Sequence, residues 1–162
     1  MNYLDGAPLW PDQHGGQGVE NGVAIITQSS NMAINISMQQ RGLPIAFMVT
    51  AGNQAQIGLA EIGAALLRDP RITALGLHIE GIGDIAAFEA LAAEAKAQGK
   101  GIAAIKVGRS TQAQTATLSH TASLAGSDAG AEAVLRRLGI ARLESLTAVS
   151  YTHLTLPTIL LV

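Results

Sequence analysis

Four short apolar runs, at residues 23–27, 45–49, 74–79 and 102–107, constrain this chain more than any other feature. None alternates apolar with polar residues, as a strand with one wet face would. Continuous runs of this length belong to strands buried on both sides of a parallel sheet. Between them lie segments with helical spacing, at residues 30–40, 56–67, 84–98 and 128–138. In the third, Ile85, Phe88, Ala92 and Ala95 share a face; in the fourth, Ala131, Val134, Leu135 and Leu138 do. Gly42, Gly99 and Gly139 stand where left-handed caps would stop helices, and Asp69-Pro70 ends the second.

Strands alternating with helices imply right-handed βαβ crossovers. A fifth short strand at 140–143 completes a flavodoxin-like, doubly wound parallel five-stranded sheet, an α/β three-layer sandwich. Ligands in such folds bind at the carboxyl ends of the strands, so the residues just after each strand are the ones to inspect. The chain divides into an arm at 1–20, this domain at 21–148 and a tail at 149–162. The arm is rich in Gly and Pro without sustained period and reads as an interdomain segment. The tail, with Thr-rich and helix-breaking sequence, has a different character and resembles translated adapter read-through; it is set aside as non-native.

Composition narrows the function. With 162 residues the chain suits one compact domain, and the scarcity of aromatic residues, 3%, favours helices packed closely on a sheet. The net charge is -2 and Lys and Arg form no block, so neither nucleic acid nor an anionic membrane is an expected partner. Cysteine is absent, the first residues lack the pattern of a secretory signal, and the apolar runs fall short of a membrane span; a cytoplasmic protein is expected.

At the end of the first strand, Ser29-Ser30-Asn31 opens a helix, where free N–H groups and the positive end of the helix dipole can bind phosphate. Ser29 or Ser30 can equally serve only as the N-cap. Residues 50–56 form an uncharged polar loop after the second strand. The third ends in Glu80-Gly81-Ile82, which places Glu80, partly buried, at the functional edge, while Asp84 caps the next helix and His78 within the strand reads as a packing residue. After the fourth strand a long connection leads to His120 among small residues, with room for a phosphate on the ring; Ser127-Asp128 then opens another helix. A lone histidine in such a loop is compatible with either a functional or a structural role.

Other chemistries fit poorly. Ser119, His120 and Asp128 have the residue types of a hydrolase triad, but adjacent Ser and His side chains do not aim at one another and no nucleophile elbow is present. The glycines at 15, 16 and 18 precede the first strand, whereas a dinucleotide fingerprint follows one. The four histidines show no metal-ligand spacing, so no metal site is expected in this chain.

Taken in order, 23–31, Ile79-Glu80-Gly81-Ile82, Lys106-Val107-Gly108-Arg109-Ser110 and Ser119-His120-Thr121-Ala122-Ser123-Leu124-Ala125-Gly126-Ser127-Asp128 resemble the succinyl-CoA-ligase-like flavodoxin domain of NDP-forming acyl-CoA synthetases. The resemblance implies that His120 accepts phosphate from an acyl phosphate and passes it to a nucleoside diphosphate, and that Glu80 holds the other ring nitrogen. It implies phosphate contacts at Ser29, Ser30, Asn31, Ser127 and Asp128. CoA, and ADP or ATP with Mg, would be bound mainly by a CoA-binding domain and an ATP-grasp domain or subunit, in a homo- or hetero-oligomer acting on small acyl substrates. Ala122 departs from the family, where Gly is frequent, without touching the imidazole. A non-catalytic regulatory domain, as attached to some protein acyltransferases, is the alternative; retention of both His120 and Glu80 argues for the enzyme. A flavin-binding flavodoxin is disfavoured by loops without aromatic residues.

Overall fold

A computed structural model describes residues 1–7, 14–39, 41–108 and 128–145. The five strands are β1 (Gly22–Thr27), β2 (Ile45–Thr50), β3 (Ile72–Ile79), β4 (Gly101–Lys106) and β5 (Ala141–Arg142). They form one parallel sheet in the order β2-β1-β3-β4-β5, the flavodoxin-like arrangement expected from the strand–helix alternation. Every residue of β1 and of β4 is buried, which is why these runs show no polar alternation.

Among the described residues the helices are α1 (Ser30–Ser37), α2 (Leu59–Leu67), α3 (Ile85–Ala97) and α4 (Asp128–Arg137). They cover both faces of the sheet. Ala24, Ile26, Leu75, Leu77 and Ile79 face a core closed by Leu59 and Leu67 of α2, Phe88 and Leu91 of α3 and Leu135 of α4. Val23, Ile25, Ala74 and Ile105 face the opposite core, closed by Ala33 and Ile36 of α1. The arm supplies Tyr3 to this second core: its N–H donates to Ala46 O at 2.9 Å, and Met48 N–H to Met1 O at 3.0 Å, so the first residues lie along β2.

Helix limits depart from the expected ones for local reasons. α1 ends at Ser37, where the hydroxyl turns back to donate to Ile34 O at 2.9 Å. α2 starts at Leu59 because Gly58 N–H is taken by Glu61 Oε2 at 2.7 Å and Leu59 N–H by Gln54 Oε1 at 2.8 Å. On α3 the buried face is Phe88, Leu91 and Ala95; Ile85, expected on it, is 47% exposed in the first turn. Asp84 caps α3 as expected, accepting from Ala86 N–H at 2.8 Å. Gly42, Gly99 and Gly139 all have φ near +70°.

Candidate functional site

The strand order reverses between β1 and β3, and the carboxyl ends of these two strands form the switch-point crevice of the fold. Beyond β1, Ser29 occupies the N-cap position of α1 but makes no side-chain hydrogen bond to the helix, and no acidic residue stands in the first turn. The positive end of α1 is thus left without an anion of its own. Ser30 and Asn31 are exposed there.

Beyond β3, Glu80 is half-buried. Its backbone is tied across the crevice to β1: the Gln28 side-chain oxygen accepts from Glu80 N–H and, at 3.1 Å, from Gly81 N–H. Two residues back, His78 is buried with Nδ1 3.1 Å from the Thr27 hydroxyl, and burial holds its pKa below the usual 6.5. The Thr27 oxygen also accepts from Ser29 N–H at 3.0 Å, so His78 packs as part of the β1–β3 seam that leads into α1.

The end of β4 carries Lys106, 1% exposed, whose ammonium donates to Val107 O. Burial, and to a lesser degree repulsion from Arg142, lowers its pKa against the attraction of the Asp128 and Glu80 carboxylates. Asp128, at the start of α4, is paired with Arg142 at 2.5 Å, and the same guanidinium holds Glu132 at 2.8 Å. The Asp128 carboxylate is therefore engaged with Arg142. In the loop after β2, Gln54 serves as a cap of α2. His120 and Ser127 lie outside the described residues, as does the tail at 149–162. Among the described residues no group of three or more His, Asp or Glu is placed to hold a metal ion, and no helix is long and apolar enough to cross a membrane.

The structure thus brings Glu80 and the N-terminus of α1 to one crevice through Gln28, and sets Lys106 and Asp128 in the electrostatic field beside it. Gln28, Lys106 and Arg142 are not singled out by sequence reasoning. Lys106 carried a signal, a cation closing an apolar run in a strand buried on both faces; the partner of Gln28, 52 residues away, left none.

A parallel flavodoxin-like domain with polar groups gathered at its switch point defines the class. Residues 20–155 match the family model described as the succinyl-CoA ligase like flavodoxin domain, and the chain belongs to that family. It is 30% identical over 144 residues, 86% of its length, to a trans-feruloyl-CoA synthase of an unknown prokaryotic organism. It is 33% identical over 124 residues, 74% of its length, to the alpha subunit of the ADP-forming acetate–CoA ligase I of Pyrococcus furiosus. The chain spans 20% and 26% of these two relatives. In structure it is similar to the dinucleotide forming acetyl-coenzyme A synthetase 1 of Ca. Korarchaeum cryptofilum, solved in complex with phosphate and ADP. The TM-score is 0.70 at 27% identity, covering 80% of this chain and 29% of that one. These relatives are acyl-CoA ligases, so the family is one of ligases.

Proposed function

We propose that this chain is the phosphoryl-relay domain of an NDP-forming acyl-CoA synthetase, acting in the reversible reaction carboxylate + CoA + ATP to acyl-CoA + ADP + phosphate. In the acyl-CoA-consuming direction a ring nitrogen of His120 attacks the phosphorus of an acyl phosphate. The bond from phosphorus to the carboxylate oxygen breaks and the carboxylate leaves with that bonding pair, while the proton on the other ring nitrogen stays on the ring. The phosphoryl group then passes from nitrogen to the terminal oxygen of ADP. Glu80 accepts a hydrogen bond from the other ring nitrogen, fixing the tautomer and balancing the charge of the imidazolium. The N–H groups of Ser30 and Asn31 that open α1, together with the Ser29 hydroxyl at the N-cap, donate to the phosphoryl oxygens. Ser127 and the backbone of Asp128 contribute from the start of α4, since the Asp128 carboxylate belongs to Arg142.

The observation that carries this reading is that the family match spans Ser119-His120-Thr121, while the Glu80 backbone is held at the switch point by Gln28, the residue before the N-cap of α1. CoA and the Mg-nucleotide are taken up by companion CoA-binding and ATP-grasp domains, in the cytoplasm. The test is turnover of carboxylate, CoA and ATP by the assembled protein. His120→Asn is expected to abolish acyl-CoA formation, with His14→Asn and His78→Asn much less affected; a fully active His120→Asn protein would refute the proposal.

A further inference from the structure

Gln28 closes the switch point. It follows β1 directly, is 5% exposed, and uses both ends of its amide. The oxygen accepts from two successive backbone N–H groups, of Glu80 and Gly81, and the nitrogen donates to Gly81 O at 3.5 Å. Its own backbone N–H donates to His78 O at 3.3 Å. Four bonds thus pin the place where β3 leaves the sheet, and Glu80 is the first residue beyond that strand. An amide alone supplies an acceptor for two N–H groups and a donor for a carbonyl without adding charge; a carboxylate would face Gly81 O with a second anion, and an aliphatic side chain would leave the Gly81 N–H buried without its partner.

We propose that Gln28 is a positioning residue for phosphoryl transfer: by holding the backbone of Glu80 and Gly81 it sets the approach of the Glu80 carboxylate to the histidine. This rests on the function proposed above. A residue one strand away matters for this chemistry because a displacement of about 1 Å in a reacting group can cost about 10²-fold in rate. The pairing also predicts a pH signature. A carboxylate fixed beside the imidazole raises the imidazole pKa, and only the neutral ring attacks phosphorus, so misplacing Glu80 moves the acid limb of the phosphorylation rate to lower pH.

The test is a double-variant cycle in the assembled synthetase, with labelled ATP as the phosphoryl donor and the single-turnover labelling rate followed against pH. Glu80→Gln is expected to slow labelling by about 10² and Gln28→Leu by about 10-fold or more, both shifting the acid limb downward. Because Gln28 acts through Glu80, the double variant should be within about 3-fold of Glu80→Gln alone. Gln28→Met, which keeps the chain length and flexibility, replaces Gln28→Leu if the latter does not fold. Additive losses of about 10³, or an acid limb that stays in place in the Gln28 variant, overturn the positioning role and leave the proposed function standing. A wild-type protein that takes no label on His120 overturns both.

Discussion

Lys106 offers a prediction in which two opposing energies can be separated. Its side chain is 1% exposed at the end of β4, with Asp128 and Glu80 near enough to attract the ammonium, yet its pKa lies below the usual 10.5. Desolvation, joined by repulsion from the Arg142 guanidinium, therefore outweighs the attraction, and the charge itself does not stabilise the fold. The methylenes do, by filling the interior. Lys106→Met keeps most of that volume, and its stability should stay within about 1 kcal/mol of the parent or exceed it. Lys106→Ala empties the site and should cost about 2–4 kcal/mol. For a domain of this size that corresponds to a fall of about 5–15 °C in Tm. The pH dependence follows from the same shift. The unfolded chain binds the proton more tightly than the folded one between the lowered pKa and 10.5, so the parent gains stability as pH rises through that window, and Lys106→Met should lack this gain. Thermal melts followed by circular dichroism at pH 7 and near pH 10 measure both effects. If Lys106→Met loses as much stability as Lys106→Ala, the ammonium is a net stabiliser and the reasoning fails.

Other consequences are as specific. Glu80→Gln should leave Tm nearly unchanged while slowing phosphorylation by on the order of 10², since the backbone bonds to Gln28 persist and only the carboxylate charge is removed; equal labelling rates would take Glu80 out of the chemistry. His78 is kept neutral by burial, so the unfolded state binds its proton more readily between 6.5 and the lowered folded value, and stability should fall as pH drops through that window. His78→Gln should flatten this fall, and parallel stability curves for the two proteins from pH 7 to 5 would contradict it. Gly22→Ala would place a methyl 2.2 Å from Pro44 O, the acceptor of Val23 N–H at 2.8 Å, and should cost about 2–4 kcal/mol by overpacking and loss of that bond; an unchanged melt would show that β1 and β2 separate without strain.

What could be read from the sequence, and what could not, divides along the range of the interactions. The strands of the sheet are visible because a parallel strand buried on both faces must be apolar throughout, and Gly99 and Gly139 mark helix ends because each adopts a left-handed φ just past its helix; Gly42 has the same φ but lies five residues beyond α1, which ends at Ser37. Ile85 was misplaced since periodicity gives a face but not where the sheet beneath it ends, and the true contact, Leu91, lies between the positions counted. At the site, Glu80 and Ser29 could be placed at strand ends by topology alone. Gln28 could not be linked to Glu80, nor Asp128 to Arg142, because such pairs form only when distant segments meet. Asp128 is such a case: its place at a helix start gives no sign in the sequence that its carboxylate pairs with Arg142.

The central claim is that phosphate becomes covalently bound to the His120 ring. Incubating the assembled protein with labelled ATP, or with acyl-CoA and labelled phosphate, and mapping the label by mass spectrometry tests it directly. The phosphoramidate predicted at His120 is lost in acid and kept in base, and it disappears in His120→Asn, because the amide offers no comparable nucleophile. Label that survives acid, or that maps to a serine or to His78, would contradict the account.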